Sequence, residues 1–408
     1  MPILSNLKST VFLLFLALSC CKGQQKQEIN TPIGEIITPL PEIKVAANRT
    51  EVYLPMLQGK KVGIVANPTS VIFHDKGYTH LVDSLVSLGV DVKKVFAPEH
   101  GFRGTADAGE HVKDGVDAKT GVPIISLYGK NRKPSKQQLD ELDVMVFDIQ
   151  DVGVRFYTFI ATLQLVMEAC AELGTPIMVL DRPNPNGQYV DGPTMMKEHA
   201  SYLGLQPIPL VYGMTMGEYA QMLNGEGWLE NGSKADLTVV QLENYTHASK
   251  YHLPIRPSPN LPNDVSITLY PSLGLFEGTN VNAGRGTEFQ FQRYGASFMD
   301  STQYEFSYVP EPNFGSKTPK EEGKTCYGKD LSQSPRMNEM TLRWVIDAYK
   351  NTLDKSKFFL TSGFTKHAGT TLLQQQIEAG LSEDEIKATW QDDLENFKKI
   401  REKYLIYE

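Results

Sequence analysis

Lys60-Lys61-Val62-Gly63-Ile64-Val65-Ala66 is the stretch on which the fold turns: two lysines lead into five residues without a polar side chain. It reads as a strand. Outward from it, His80 to Leu88 carries apolar residues at Leu81, Val82, Leu85 and Leu88, the spacing of an amphipathic helix. Further strands are predicted at Val90 to Phe96, Val122 to Leu127, Val144 to Phe147 and Pro176 to Leu180. A short helix is predicted at Ser135 to Glu141 and a long one at Phe156 to Leu173. Apolar strands that alternate with helices imply a parallel sheet covered on both faces, the α/β class.

From about Leu205 the texture changes. Pro207 and Pro209, a helix-like Thr215 to Leu223, a strand-like Leu237 to Leu242 and prolines at 254, 257, 259 and 262 suggest a second, mixed α/β domain. Its tail is predicted helical at Glu339 to Leu353, Thr371 to Ala379 and Glu383 to Tyr404, the last with Trp390, Leu394, Phe397 and Ile400 on one core-facing stripe. The expected division is a parallel-sheet domain over residues 49–200 and a second domain over 201–408.

The first 21 residues read as a processing signal. Lys8 precedes an apolar stretch from Val11 to Leu18, which is shorter than the roughly 20 residues a bilayer span requires. The following Ser19-Cys20-Cys21 resembles a bacterial lipobox, with Cys20 or Cys21 as the lipidated residue and residues 22–48 as a polar tether. A periplasmic protein held to the membrane only through this lipid is the expectation; a plain cleaved signal peptide is the alternative. The remaining cysteines, Cys170 and Cys326, make neither a disulfide framework nor a thiolate metal site. With 48 acidic and 40 basic residues the net charge is −8, which offers no footprint for nucleic acid.

In parallel sheets of this kind ligands bind beyond the carboxyl ends of the strands, and each predicted strand is followed there by polar residues. The first is followed by Asn67, the second by Glu99-His100-Gly101-Phe102-Arg103 with Asp107, Gly109 and Glu110 beyond, and the third by Tyr128. The fourth is followed by Asp148, Asp151 and Arg155, the fifth by Asp181, Arg182 and Asn184. Glu99 is the proposed proton donor, because a carboxyl in a partly enclosed loop can hold its proton more tightly; an ion pair with Arg103 is the alternative. Asp148 and Asp151 are candidates for a second carboxylate, although Asp151 fits a helix N-cap and Asp181 an Asx turn equally well. Arg103, Arg155, Arg182 and Arg285 are candidates to hold an anionic substrate, or else to neutralise neighbouring acids. Tyr128, Phe156, Tyr157, Phe289 and Phe291 offer a ring platform or ordinary core. No Gly-x-Ser-x-Gly elbow, phosphate-binding loop or dinucleotide fingerprint is present.

Four runs carry a family resemblance: Ala97-Pro98-Glu99-His100-Gly101-Phe102-Arg103-Gly104, Phe147 to Thr158, Leu180-Asp181-Arg182-Pro183-Asn184-Pro185, and Phe276-Glu277-Gly278-Thr279-Asn280. Together they resemble the bacterial exo-β-N-acetylmuramidase glycoside hydrolases, from about Leu57 to the end of the chain. The resemblance implies release of β-1,4-linked N-acetylmuramic acid from the non-reducing end of peptidoglycan fragments. It also implies a Rossmann-like subdomain, a second subdomain, a site in the cleft between them, and a catalytic glutamate in the motif that matches Glu99. Glu288-Phe289-Gln290-Phe291 departs from the family pattern, which has a proline-containing stretch there.

On this reading His100 assists Glu99, and Asp148, Asp151 or Glu277 supplies the second carboxylate unless the substrate's acetamido group replaces it. Asn67, Arg103, Tyr128, Arg155, Tyr157, Asp181, Arg182, Asn184, Glu277, Asn280 and Arg285 are the expected substrate-binding residues, and no cofactor or metal is called for. The muramic lactyl carboxylate is a natural partner for the loop arginines. Two other classes compete: a non-catalytic muropeptide-binding lipoprotein that uses the same cleft, and a metal-dependent hydrolase built on Glu99, His100, Asp148 and Asp181.

Overall fold

The computed structural model describes residues 42–103 and 114–408. Cys20, Cys21, Asp107, Gly109 and Glu110 lie outside the described residues.

Helix α1 (Thr50–Leu57) leads into β1 (Lys61–Ala66), a hairpin of β2 (Val71–His74) and β3 (Gly77–His80), α2 (Leu81–Ser87) and β4 (Asp91–Ala97). There follow β5 (Gly115–Val116), β6 (Pro123–Ser126), α3 (Lys136–Leu139), β7 (Val144–Asp148), α4 (Phe159–Leu173) and β8 (Ile177–Leu180). After α5 (Met216–Gly225) the chain forms β9 (Leu237–Val240). The sheet order is β5-β6-β4-β1-β7-β8-β9, with β6 to β9 parallel and only β5 antiparallel at one edge. Numbered along the chain, the six parallel strands lie in the order 3-2-1-4-5-6, the doubly wound Rossmann-like arrangement whose direction of winding reverses between β1 and β7.

The apolar runs are strands because both faces are covered. All five residues of β7 and all four of β8 are buried. Gly63 in β1 lets neighbouring side chains pack close: a Cβ there would come within 2.5 Å of Leu142 Cδ1 and 3.2 Å of Phe96, so Leu142 would have to shift. Three helices of this part start where side chains accept their free N–H groups. Ser135 and Thr215 form capping boxes at α3 and α5, and the His80 imidazole accepts from Val82 N–H at α2.

The remainder is mixed. Directly after the prolines at 254–262, Asn263 caps α6 (Asp264–Leu273), which keeps Pro271 inside it. β10 (Arg293–Ala296), β11 (Phe306–Tyr308) and β12 (Cys326–Asp330) form a three-stranded antiparallel sheet in the order β10-β12-β11. The helical C-terminus comprises α7 (Arg343–Lys350), α8 (Thr361–Ala368), α9 (Leu372–Glu378), α10 (Glu383–Ala388) and α11 (Gln391–Arg401). The single helix expected over Glu383 to Tyr404 breaks ahead of α11 at Trp390, whose ring is buried together with Leu394 and Phe397.

The expected boundary at residues 200/201 does not divide the sheet. β9 pairs with β8 in parallel, joining the first sheet rather than a second domain. The chain end returns to the same place: Tyr407 donates to Asp181 at 2.8 Å, and its oxygen accepts from the Leu242 N–H at 3.0 Å.

Candidate active site

β4 ends at Ala97, and the chain then turns through Pro98–Gly101, closed by Gly101 N–H donating to the Pro98 carbonyl at 3.0 Å. His100 takes φ 70°, a left-handed conformation that costs a non-glycine residue about 1 kcal/mol or more and tends to occur where function over-determines the backbone. The turn buries His100 and leaves Glu99 partly exposed. Glu99 Oε1 accepts from the Tyr128 hydroxyl at 3.3 Å, just past β6, and Oε2 from Thr158 Oγ1 at 3.4 Å, at the start of α4. Thr158 is also left-handed, at φ 31°. Three elements therefore converge on one carboxyl through long hydrogen bonds that a substrate can replace or tighten. Burial first and the Glu99 charge second push the Tyr128 phenol up to about 12. Tyr202, joined to Thr162 at 2.8 Å, is also raised to about 12, chiefly by burial with Glu99 adding to it. The Arg132 guanidinium lies 4.2 Å over the Tyr202 ring.

The second wall comes from the C-terminal part. Glu277 pairs with Arg285 at 3.2 Å, each side chain about a quarter exposed, at 25% and 22%. Lys320 Nζ donates to the carbonyls of Phe276, Glu277 and Thr279 at 3.0, 3.0 and 2.6 Å, fixing the turn that carries Glu277. Burial alone would raise the Glu277 carboxyl, but the charges of Arg285, Lys320 and His367 outweigh it and hold its pKa below the ordinary value. Tyr270, with its ring 4.8 Å from Phe291, 5.2 Å from Phe156 and 5.9 Å from Tyr157, floors this wall. Tyr270 and Arg285 each feel the charge of both Glu277 and Glu99, so the two carboxylates share one neighbourhood.

Several expected site residues are instead consumed by the fold. Asp148 is fully buried and accepts from Arg182 at 2.6 and 2.9 Å, while Arg182 also donates to the Val71 carbonyl at 2.9 Å. Asp151 is closed from solvent, accepting from Gly153 N–H at 2.6 Å and from the Tyr212 hydroxyl, and burial raises its pKa to about 6. Neither acid is open to a sugar as a second carboxylate. Asp181 accepts from Thr215 at 2.7 Å, Gly217 N–H at 2.9 Å and Tyr407. Asn67 accepts from the Thr69 N–H at 2.9 Å, and Asn184 donates to the Met214 carbonyl at 2.9 Å. Asn280 donates to the Lys357 carbonyl at 2.7 Å.

Arg155 is entirely buried, its guanidinium donating to the carbonyls of Pro193, Ile208, His367 and Ala368. Arg103 is bidentate to Asp83 and Asp117, the neighbour-neutralising role set against anion binding. The Tyr157 hydroxyl donates to the Pro257 carbonyl, and its ring faces Tyr270. Among the described residues no group of His, Cys, Asp or Glu could hold a metal ion. With Asp148 and Asp181 held as described, the ligand set of the metal reading is not assembled.

The cleft also contains residues not singled out beforehand: Thr158, Tyr202, Tyr270, Lys320, His367 and Arg132. Thr158 closes one of the quoted runs and so carried a signal; the others sit in unremarkable sequence and reach the cleft only through tertiary packing. A separate cavity of about 310 Å3 is lined by Tyr251, His252, Asp264, Thr268 and Arg336 among others, and by none of the expected site residues.

The model of the N-terminal domain described as "Exo-beta-N-acetylmuramidase NamZ" matches residues 62–265, and that of its C-terminal domain matches residues 268–407. The chain belongs to the NamZ exo-β-N-acetylmuramidase family. The two family domains meet at α6, well beyond residue 200. The peptidoglycan β-N-acetylmuramidase NamZ of Bacillus subtilis strain 168 is 40% identical over 378 residues, covering 87% of this chain and 89% of that protein. A crystal structure of a DUF1343 family protein from Bacteroides fragilis NCTC 9343 matches with a TM-score of 0.83 and 43% identity, over 90% of this chain and 99% of the other. A second DUF1343 protein from the same organism matches with a TM-score of 0.74 and 26% identity, over 90% and 100%.

Proposed function

We propose that this protein is a glycoside hydrolase that releases β-1,4-linked N-acetylmuramic acid from the non-reducing end of peptidoglycan fragments. Membership of the NamZ family supports the reaction class. The observation that carries the mechanism is the partly open Glu99 carboxyl, held from two sides by Tyr128 and Thr158.

Glu99 gives its proton to the glycosidic oxygen as the bond from that oxygen to C1 breaks, so the leaving sugar departs neutral. Positive charge develops at C1 and the ring oxygen. Glu277, kept ionised by its cationic neighbours, supplies the opposing negative charge, and water completes the exchange by adding to C1 and giving up a proton that restores the acid form of Glu99. The aromatic floor of Tyr270, Phe156 and Tyr157 excludes water from the apolar side of the sugar.

The N-terminal run ending in Ser19-Cys20-Cys21 supports a periplasmic, lipid-anchored placement, where products of cell-wall turnover are within reach. Purified Glu99→Gln, with an unchanged circular dichroism spectrum, is expected to lose about 100- to 10,000-fold in kcat on a chromogenic β-N-acetylmuramide. Turnover at the wild-type rate would remove Glu99 from the mechanism.

A further inference from the structure

A muramidase tells its sugar from N-acetylglucosamine by the 3-O-lactyl carboxylate, for which a cation at the site is the strongest available partner. The four arginines suggested by sequence are engaged by the protein itself: Arg103 by Asp83 and Asp117, Arg182 by Asp148, Arg155 by four carbonyls, and Arg285 by Glu277. Arg132 differs from all of them. It is solvent-exposed, and among the described residues no carboxylate lies within ion-pair distance of it. What holds it is the Tyr202 ring, 4.2 Å beneath the guanidinium carbon, a contact that leaves the N–H donors free for a planar anion.

The loop that carries it is fixed on both sides. Asn131 donates to the Ser126 carbonyl at 2.7 Å, and Lys133 reaches Glu172 and Glu230 at 2.6 and 2.7 Å. The hydroxyl of Tyr202, whose ring lies under Arg132, is joined to Thr162 at 2.8 Å, Thr162 Oγ1 donates to the Thr158 carbonyl at 3.5 Å and Thr158 Oγ1 to Glu99 at 3.4 Å, so the guanidinium belongs to the Glu99 end of the site.

We propose that Arg132 is a specificity-determining residue that binds the lactyl carboxylate of the muramic sugar. The assignment rests on the muramidase reading above. An exposed single-point ion pair contributes little, but two parallel N–H donors covered by bound sugar form a charge-assisted pair that discriminates by about 10- to 100-fold.

Two measurements test it. In calorimetric titrations, wild-type protein is expected to bind N-acetylmuramic acid about 10- to 100-fold more tightly than N-acetylglucosamine, and Arg132→Gln to lose that preference while its affinity for N-acetylglucosamine stays the same. Kinetically, Arg132→Gln is expected to lose the same factor in kcat/KM on the chromogenic muramide, chiefly through KM, with partial recovery in Arg132→Lys. The methyl ester of the lactyl group should reduce wild-type kcat/KM to the variant's level and leave the variant unaffected. Equal preference for the two sugars in wild-type protein, or equal sensitivity of both proteins to esterification, overturns the assignment. Absence of muramide hydrolysis by wild-type protein would strike the parent reading instead, and the titration would still decide the role of Arg132.

Discussion

The loops after β1 and β7 and the loops after β4 and β6 leave the same edge of one sheet with comparable polar content, yet they end in opposite states. The first pair flank the point where the winding reverses, the customary ligand crevice of a doubly wound sheet. Here that crevice is filled by the loops themselves. Ser70 Oγ donates to the Asp148 carbonyl, Gln150 N–H to Thr69 Oγ1 at 3.0 Å, and Arg182 closes on Asp148. The second pair leave Glu99 and Tyr128 partly exposed and joined to each other by a long hydrogen bond of 3.3 Å. A polar cluster at a strand end is therefore not yet a site. What separates scaffold from chemistry is whether the side chains complete one another's hydrogen bonds.

The largest effect expected from breaking this contrast is the loss of activity in Glu99→Gln. On the filled side the corresponding change acts on folding. Asp148→Ala leaves the buried Arg182 charge without its carboxylate and is expected to cost about 3–5 kcal/mol, read from urea unfolding. Asp148→Ala combined with Arg182→Met removes both charges and should regain most of that loss. A single variant as stable as wild type would show that the pair does not hold this edge together.

These pairs explain which parts were legible in the sequence. Strands β1, β4, β6, β7 and β8 lie within a residue or two of their expected ends, because continuous apolar runs bounded by polar residues leave little choice of structure. The helices expected from Ser135 and from Thr215 begin at those residues, which the structure shows to be caps. The part that sequence does not carry is pairing at long range. Asp148 ends a strand and Glu99 stands just past one, each ahead of a turn, and only the approach of Arg182, 34 residues beyond Asp148, makes one a scaffold residue. Arg132 shows the converse: nothing beside it signals a function, and its setting is made by Tyr202, far along the chain. β9, expected in a second domain, joins the first sheet for a similar reason, since a short strand does not encode which sheet edge it will join.

A titration sharpens the contrast within the filled side. The Asp151 carboxyl is raised by burial from 3.8 to about 6, so the folded protein holds a proton that the unfolded chain releases over that interval. Stability contributed by this group is therefore intact below pH 4, falls as pH rises towards 6, and stays reduced above it. Asp151→Asn abolishes the ionisation while keeping the shape. The variant is expected to gain on wild type by on the order of 3 kcal/mol between pH 4 and pH 7.5, measured as the difference in unfolding free energy at the two values. A gap independent of pH would mean that the buried carboxyl does not keep its proton.

The smallest effect separates the two regions most directly, because each contains a phenol that donates to a carboxylate. Tyr212 donates to Asp151 in the closed crevice and Tyr128 donates to Glu99 in the cleft. Replacing either by Phe removes one oxygen and no ring. Tyr212→Phe is expected to lower the unfolding free energy by about 1 kcal/mol, since its acceptor is buried and has no water to turn to. Tyr128→Phe should leave stability within about 0.5 kcal/mol, because Glu99 is partly exposed, and lower kcat by less than about 10-fold with KM unchanged, because the long hydrogen bond matters mainly as the carboxyl changes charge. Paired urea and initial-rate measurements read both quantities. If Tyr128→Phe lost stability and kept its rate, the cleft would be as self-completed as the crevice, and the distinction drawn between the two pairs of loops would fall.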